Sequence, residues 1–142
     1  MCYSALDISK YIIGKCTRER YAISNLQLQK ILYYIQRAFL RIDSEAFSDD
    51  FEAWQLGPVV PSIYNQYCSY GGMPIRILYN IDINDYYKDI INPIVEEKRK
   101  LDPWKMVDDI HRPGKAWDQI YRNGTGNHQE IPKWLIQEEA EL

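Results

Sequence analysis

Residues Ser24 to Ile42 read SNLQLQKILYYIQRAFLRI. The stretch opens with Ser-Asn-Leu-Gln, in which Ser24 can cap a helix and Gln27 can reach back to the cap, a reciprocal pairing of two otherwise orphaned N–H groups. Leu28, Ile31, Leu32, Ile35, Phe39 and Ile42 then fall at three-and-four spacing, one apolar face of a long α-helix. Gln27, Lys30, Arg37 and Arg41 take the polar side, with Tyr33, Gln36 and Gln29 on a flank between them. Tyr33 and Tyr34 point to different sides, so at least one is expected near the surface. Asp43-Ser44-Glu45 ends the helix. A central helix this regular predicts a mainly α fold with the other elements arranged around it.

Upstream, Ser4-Ala5-Leu6-Asp7 repeats the capping pattern. Leu6, Ile8, Ile12, Ile13 and Cys16 form its stripe, and Gly14 and Thr17 suggest an end near residue 16. Downstream, FEAWQLGPVVPSIY (residues 51–64) is a joint. Phe51–Gln55 alternates like a short strand. Gly57 is freed from ordinary backbone limits and precedes a proline, which steers it away from the α region. Pro58 is expected to start a rigid turn, and Pro61 suits the first position of a helix running through Ile63, Tyr64, Tyr67 and Cys68 to Gly71-Gly72.

Residues 74–79 read as a short strand. Asp85 to about Lys100 reads as a helix kinked or split at Pro93. Asp102-Pro103 opens a short helix through Trp104, Val107 and Ile110; residues 115–122 make another, 125–129 a polar loop, and 132–139 a last amphipathic helix. No repeat, linker or low-complexity tract interrupts the 142 residues, so we expect one domain over residues 1–142: a mainly α, compact multi-helix domain with two or three short β-strands.

The formal net charge of −3 excludes the broad positive field of nonspecific nucleic-acid binding. No apolar run is long enough for a membrane span, and with residues 1–4 running straight into an amphipathic segment no signal peptide is expected. Three scattered cysteines fit a reducing cytosol, and with two histidines they show no metal-ligand spacing. No nucleophile elbow, phosphate-binding loop or dinucleotide fingerprint is present. Asp108 and Asp109 beside His111 admit an acid–base reading; a histidine ending a helix, favoured by the helix dipole, is the simpler one. Tyr64, Tyr67 and Tyr70 form a row that is either core with hydroxyls at its rim or a partner surface, since Tyr and Trp are enriched at binding hot spots. Trp54, Trp104, Trp117 and Trp134 admit the same two readings.

Four segments, taken together, resemble a known family: ALDISKYI (5–12), ISNLQLQKILYY (23–34), EAWQLGPVVPSIY (52–64), and Ile110-His111-Arg112 with Ala116-Trp117. Their order and spacing are similar to the Panacea antitoxin domain, the SocA-like or phage-associated GepA-like family, over about residues 3 to 136. The resemblance implies a cytoplasmic, non-enzymatic antitoxin that needs no cofactor or metal. Its partner would be a cognate toxin protein of a bacterial or prophage toxin–antitoxin system, neutralised by direct contact. One branch of the family delivers its toxin to a cytosolic protease, which makes a protease the alternative partner. A small enzyme or nucleotide-binding protein using His111 is a further alternative, and self-association stays open. The later family motif often reads Thr-His followed by Pro-Trp; here Ile110-His111 is separated from Trp117 by an insertion, which leaves any special role of His111 open. Some relatives add a DNA-binding region, for which this chain has no room, so neither operator nor other nucleic-acid binding is expected. Partner contacts are expected at Tyr33, Tyr34, Trp54, Gly57, Pro58, Tyr64, Tyr67, His111 and Trp117. The joint is expected to fix the angle between the long helix and the Tyr-bearing helix, either to shape a docking groove or for architecture alone.

Overall fold

In a computed structural model, which describes residues 3–141, both predicted capping boxes form. Ser24 Oγ accepts from the Gln27 N–H at 3.2 Å and Gln27 Oε1 accepts from the Ser24 N–H at 2.9 Å. They start α1 (Ala5–Arg18) and α2 (Asn25–Arg41). The chain continues through β1 (Phe51–Trp54), β2 (Gly57–Val59), α3 (Pro61–Tyr67), α4 (Asp85–Lys98), α5 (Pro103–Ile110), α6 (Ala116–Tyr121), β3 (Gln129–Ile131) and α7 (Lys133–Ala140). The mainly α fold with a small sheet is as expected.

α2 is the axis. It packs against α7, α4, α5, α3, α1 and β2, and every residue from Leu28 to Gln36 is buried. The helix is therefore covered all round its middle and not along one stripe. Tyr33 and Tyr34 are both buried, contrary to the expectation that one would reach the surface. Ile42, assigned to the core face, is exposed just past the helix end. The three-stranded sheet is antiparallel in the order β2-β1-β3, with Ala53 opposite Pro58 on one side and Gln129 on the other.

Several elements depart from the sequence reading. α1 runs on to Arg18 with Gly14 inside it; the glycine marks a close approach and no helix end, since a Cβ there would lie 2.7 Å from the Tyr79 oxygen. Pro58 lies in a strand, and the turn is Gln55-Leu56. α3 ends at Tyr67 and passes into a 3₁₀ turn over Cys68–Tyr70. Residues 74–79 form no strand beyond a single bridge from Ile75 to Ile23, since the Ile77 N–H goes to the Thr17 hydroxyl and the Tyr79 carbonyl to Arg18. α4 stays continuous through Pro93, an exposed position where water can reach the carbonyl that proline leaves unpaired. The polar loop ends instead in β3, whose exposed Gln129 and Glu130 hid a strand from hydropathy.

Candidate partner-binding site

The β1–β2 turn lies across the first half of α2, and two α2 side chains hold it there. Lys30, fully buried, donates its Nζ to the Leu56 carbonyl. Gln29 accepts from the Val60 N–H at 3.0 Å and donates to Asn25 Oδ1 at 3.0 Å; Asn25 Nδ2 in turn donates to the Tyr64 carbonyl at 3.2 Å. Both ends of the GPVVP joint are thus tied to one helix. Each bond nets about 1 kcal/mol, but a buried partner left alone costs more. Burial pushes the Lys30 ammonium down to about 7, because a charge is poorly solvated there.

Gly57 shows why the joint needs a glycine. Its φ is +122°, a region L side chains rarely adopt. The space a Cβ would fill is also taken: Lys30 Nζ stands in it, and His111 Nε2 lies 3.4 Å from it. That His111 nitrogen is buried, and among the described residues it makes no hydrogen bond of good geometry. The ring stacks on Trp117 at 3.6 Å and 4°, and Trp117 stacks on Tyr121 at 4.5 Å. Burial first, and the nearby Lys30 charge second, hold the His111 pKa below its usual value. Trp117 Nε1 donates to the Trp54 carbonyl at 2.8 Å, which fixes the back of the hairpin to α6.

Trp54 presents its ring at the front. It stacks on His128 at 4.4 Å and 17°, meets Tyr64 edge-on at 5.0 Å, and its Nε1 donates to Glu52 at 2.9 Å. Between these rings and α2 lies a cleft of about 210 Å³ lined by Leu26, Gln29, Lys30, Trp54, Leu56 and Tyr64, with Gln55 and Val59 completing it. Leu56 is 43% exposed and Tyr64 39% exposed at its rim. The volume is below the ~300–1,000 Å³ of most small-molecule sites. It suits one inserted side chain.

The structure brings Trp54, Gly57, Pro58, Tyr64, His111 and Trp117 together at this joint. Tyr33, Tyr34 and Tyr67 lie elsewhere, with their hydroxyls engaged by Glu139 at 3.0 Å, Asp109 at 2.6 Å and Tyr79 at 3.0 Å. Lys30, Gln29, Tyr121 and His128 complete the site, and no sequence motif points to them. Helical periodicity assigns Lys30 to the solvated side of α2, and no local signal marks it as covered. The proximity of His111 to Asp108 and Asp109 in sequence produces no hydrogen-bonded pair among the described residues. Asp109 binds Tyr34, Arg112 and Lys115 instead. Burial works against its charge, but the Tyr34 hydrogen bond and the two cations prevail and lower its pKa.

The family model described as "Antitoxin SocA-like, Panacea domain" matches residues 28–118, which run from α2 into α6 and include Lys30, the hairpin, Tyr64, His111 and Trp117. Antitoxin SocA of Caulobacter vibrioides (strain NA1000 / CB15N) is 34% identical over 141 aligned residues, covering 87% of this chain and 73% of that protein. No solved structure matches the chain.

Proposed function

Since this chain belongs to the antitoxin SocA-like, Panacea domain family, we propose that it is an antitoxin that neutralises a cognate toxin by direct binding in the cytoplasm. The docking face is the rim of the Trp54–Leu56–Tyr64 cleft. The observation that carries this reading is a rim of exposed Leu56 and Tyr64 beside half-buried Trp54, on a hairpin and a following helix that Lys30, Gln29, Asn25 and Trp117 tie to α2 and α6. Rigid aromatic anchors around a small desolvated pocket are the usual seat of binding energy. The role is binding, not catalysis. Among the described residues no helix is long and apolar enough to cross a membrane.

The test is co-expression with the product of the neighbouring reading frame. This chain should relieve that product's toxicity and co-purify with it. Trp54→Ala and Leu56→Asp should each weaken the complex by about tenfold or more, the loss of one hot-spot residue. Relief without a complex, or variants that bind as well as the parent, would sink the proposal. Toxin levels during rescue separate the two family modes: a persisting toxin means inhibition, and a disappearing one means delivery to a protease.

A further inference from the structure

The protein is acidic overall, yet one of its larger clefts is basic. About 500 Å³ opens between α2, α4, α7 and the turn joining α5 to α6. Arg37 and Arg41 reach it from α2, Lys98 from α4, and Arg112 and Lys115 from the turn. Tyr34 forms part of the wall, with the Arg37 guanidinium 4.8 Å and the Lys98 ammonium 4.3 Å from its ring centre.

Two carboxylates balance these five cations only in part. Glu139 is buried and fully used: it accepts from Tyr33 at 3.0 Å, from the Ala116 N–H at 3.0 Å and from Arg37 at 2.9 Å. Asp109 is shared between Arg112 at 2.9 Å and Lys115 at 3.4 Å. Arg41 makes no ion pair or hydrogen bond among the described residues, and Lys98 has only Glu97, at 3.5 Å and outside the cleft. A solvated basic face would leave its cations in water. Here the side chains of Arg37, Lys98 and Lys115 are only 15% to 24% exposed, while Arg41 and Arg112 are exposed. Partly desolvated like charges facing one concavity repel one another, and the concave wall focuses their field.

We propose that this cleft is a binding site for a compact polyphosphate-bearing molecule. The donor set selects that chemistry. The wall offers guanidinium and ammonium donors, while its carboxylate oxygens are already committed, so it favours a ligand that only accepts and carries several charges. Guanidinium forks match phosphate oxygens two at a time. The volume lies in the range of small-molecule sites, and a concave cleft of this size suits a compact anion better than an extended acidic chain. The site is separate from the antitoxin reading. Arg37 follows Lys30 by seven residues, about 10 Å further along α2, and no toxin enters the test.

The test is isothermal titration of the full-length chain with sodium tripolyphosphate, with ATP in a parallel arm. Saturable binding at one site is expected, weakening as NaCl rises from about 50 to about 200 mM. Arg41→Ala and Lys98→Ala should each weaken it by about tenfold or more, the worth of one charge-assisted contact. Arg76→Ala, outside the cleft, should leave it unchanged. Unliganded melting curves check that the variants are folded; Arg41 is exposed and unpaired, so its loss should not disturb folding. Tighter binding of ATP than of tripolyphosphate makes the ligand a nucleotide, and the reverse makes it a free polyphosphate; both uphold the site. No saturable binding, unaltered affinity in the Arg41 and Lys98 variants, or equal affinity for a penta-glutamate peptide would overturn it.

Discussion

Replacing Gly57 by alanine tests the central piece of the joint. Two costs are expected. The backbone cost comes from a φ of +122°, which strains a residue with a Cβ by about 1–3 kcal/mol. The steric cost comes from Lys30 Nζ, which occupies the Cβ position. Lys30 is a flexible side chain, but it is fully buried and bonded to the Leu56 carbonyl, so moving it breaks a buried hydrogen bond at about 1–3 kcal/mol. The sum is about 2–6 kcal/mol, a fall in Tm of about 5–20 °C for a chain of this length. A typical domain survives that at room temperature, so urea titration can measure it. Only the steric part depends on Lys30. In a Lys30→Met background, whose thioether end has no hydrogen bond to lose, Gly57→Ala should cost about 1–3 kcal/mol less than in the parent. If Gly57→Ala costs under about 1 kcal/mol, or if the two substitutions add within about 0.5 kcal/mol, then Lys30 and Gly57 are not coupled as described.

Two further outcomes follow from buried polar groups. The folded chain holds Lys30 near 7 while the unfolded chain holds it near 10.5, so between those values the unfolded state binds more protons and stability rises with pH, by up to about 1.4 kcal/mol per unit. The lowered His111 pKa adds a rise of the same sign near its usual value of 6.5, whereas Tyr33, Tyr34 and Tyr67, all held above their ordinary 10, reverse the trend once the unfolded tyrosines ionise. Urea melts at pH 7, 8 and 9 should show the rise and Lys30→Met should flatten it; a slope that persists in the variant would refute the assignment. Glu139→Ala strands the Tyr33 hydroxyl, the Ala116 N–H and the Arg37 guanidinium together, and should cost about 3–5 kcal/mol. Glu139→Gln, which keeps the shape and one acceptor, should cost clearly less in the same melts.

The parts of this molecule that sequence revealed are those whose cause is local. A capping box is four consecutive residues, and both formed as read. Pro61 began its helix because a first-turn proline needs no partner further along the chain. The reading failed where polarity stood in for exposure. Lys30, Arg37 and Arg41 share one side of α2, and helical periodicity assigns that side to water. Its actual neighbours come from residues 54–57, 98, 111–115 and 139, and no window along α2 contains them. The stripe thereby divides into two sites of different character. Lys30 is sealed under a hairpin whose backbone carbonyl it binds, so its charged form is disfavoured and its role is to hold shape. Arg37 and Arg41, two and three turns further on, border an open cleft. Depth of cover, set by which distant segment crosses the helix, decides whether a cation on this one face acts as a structural pin or as a ligand-binding group.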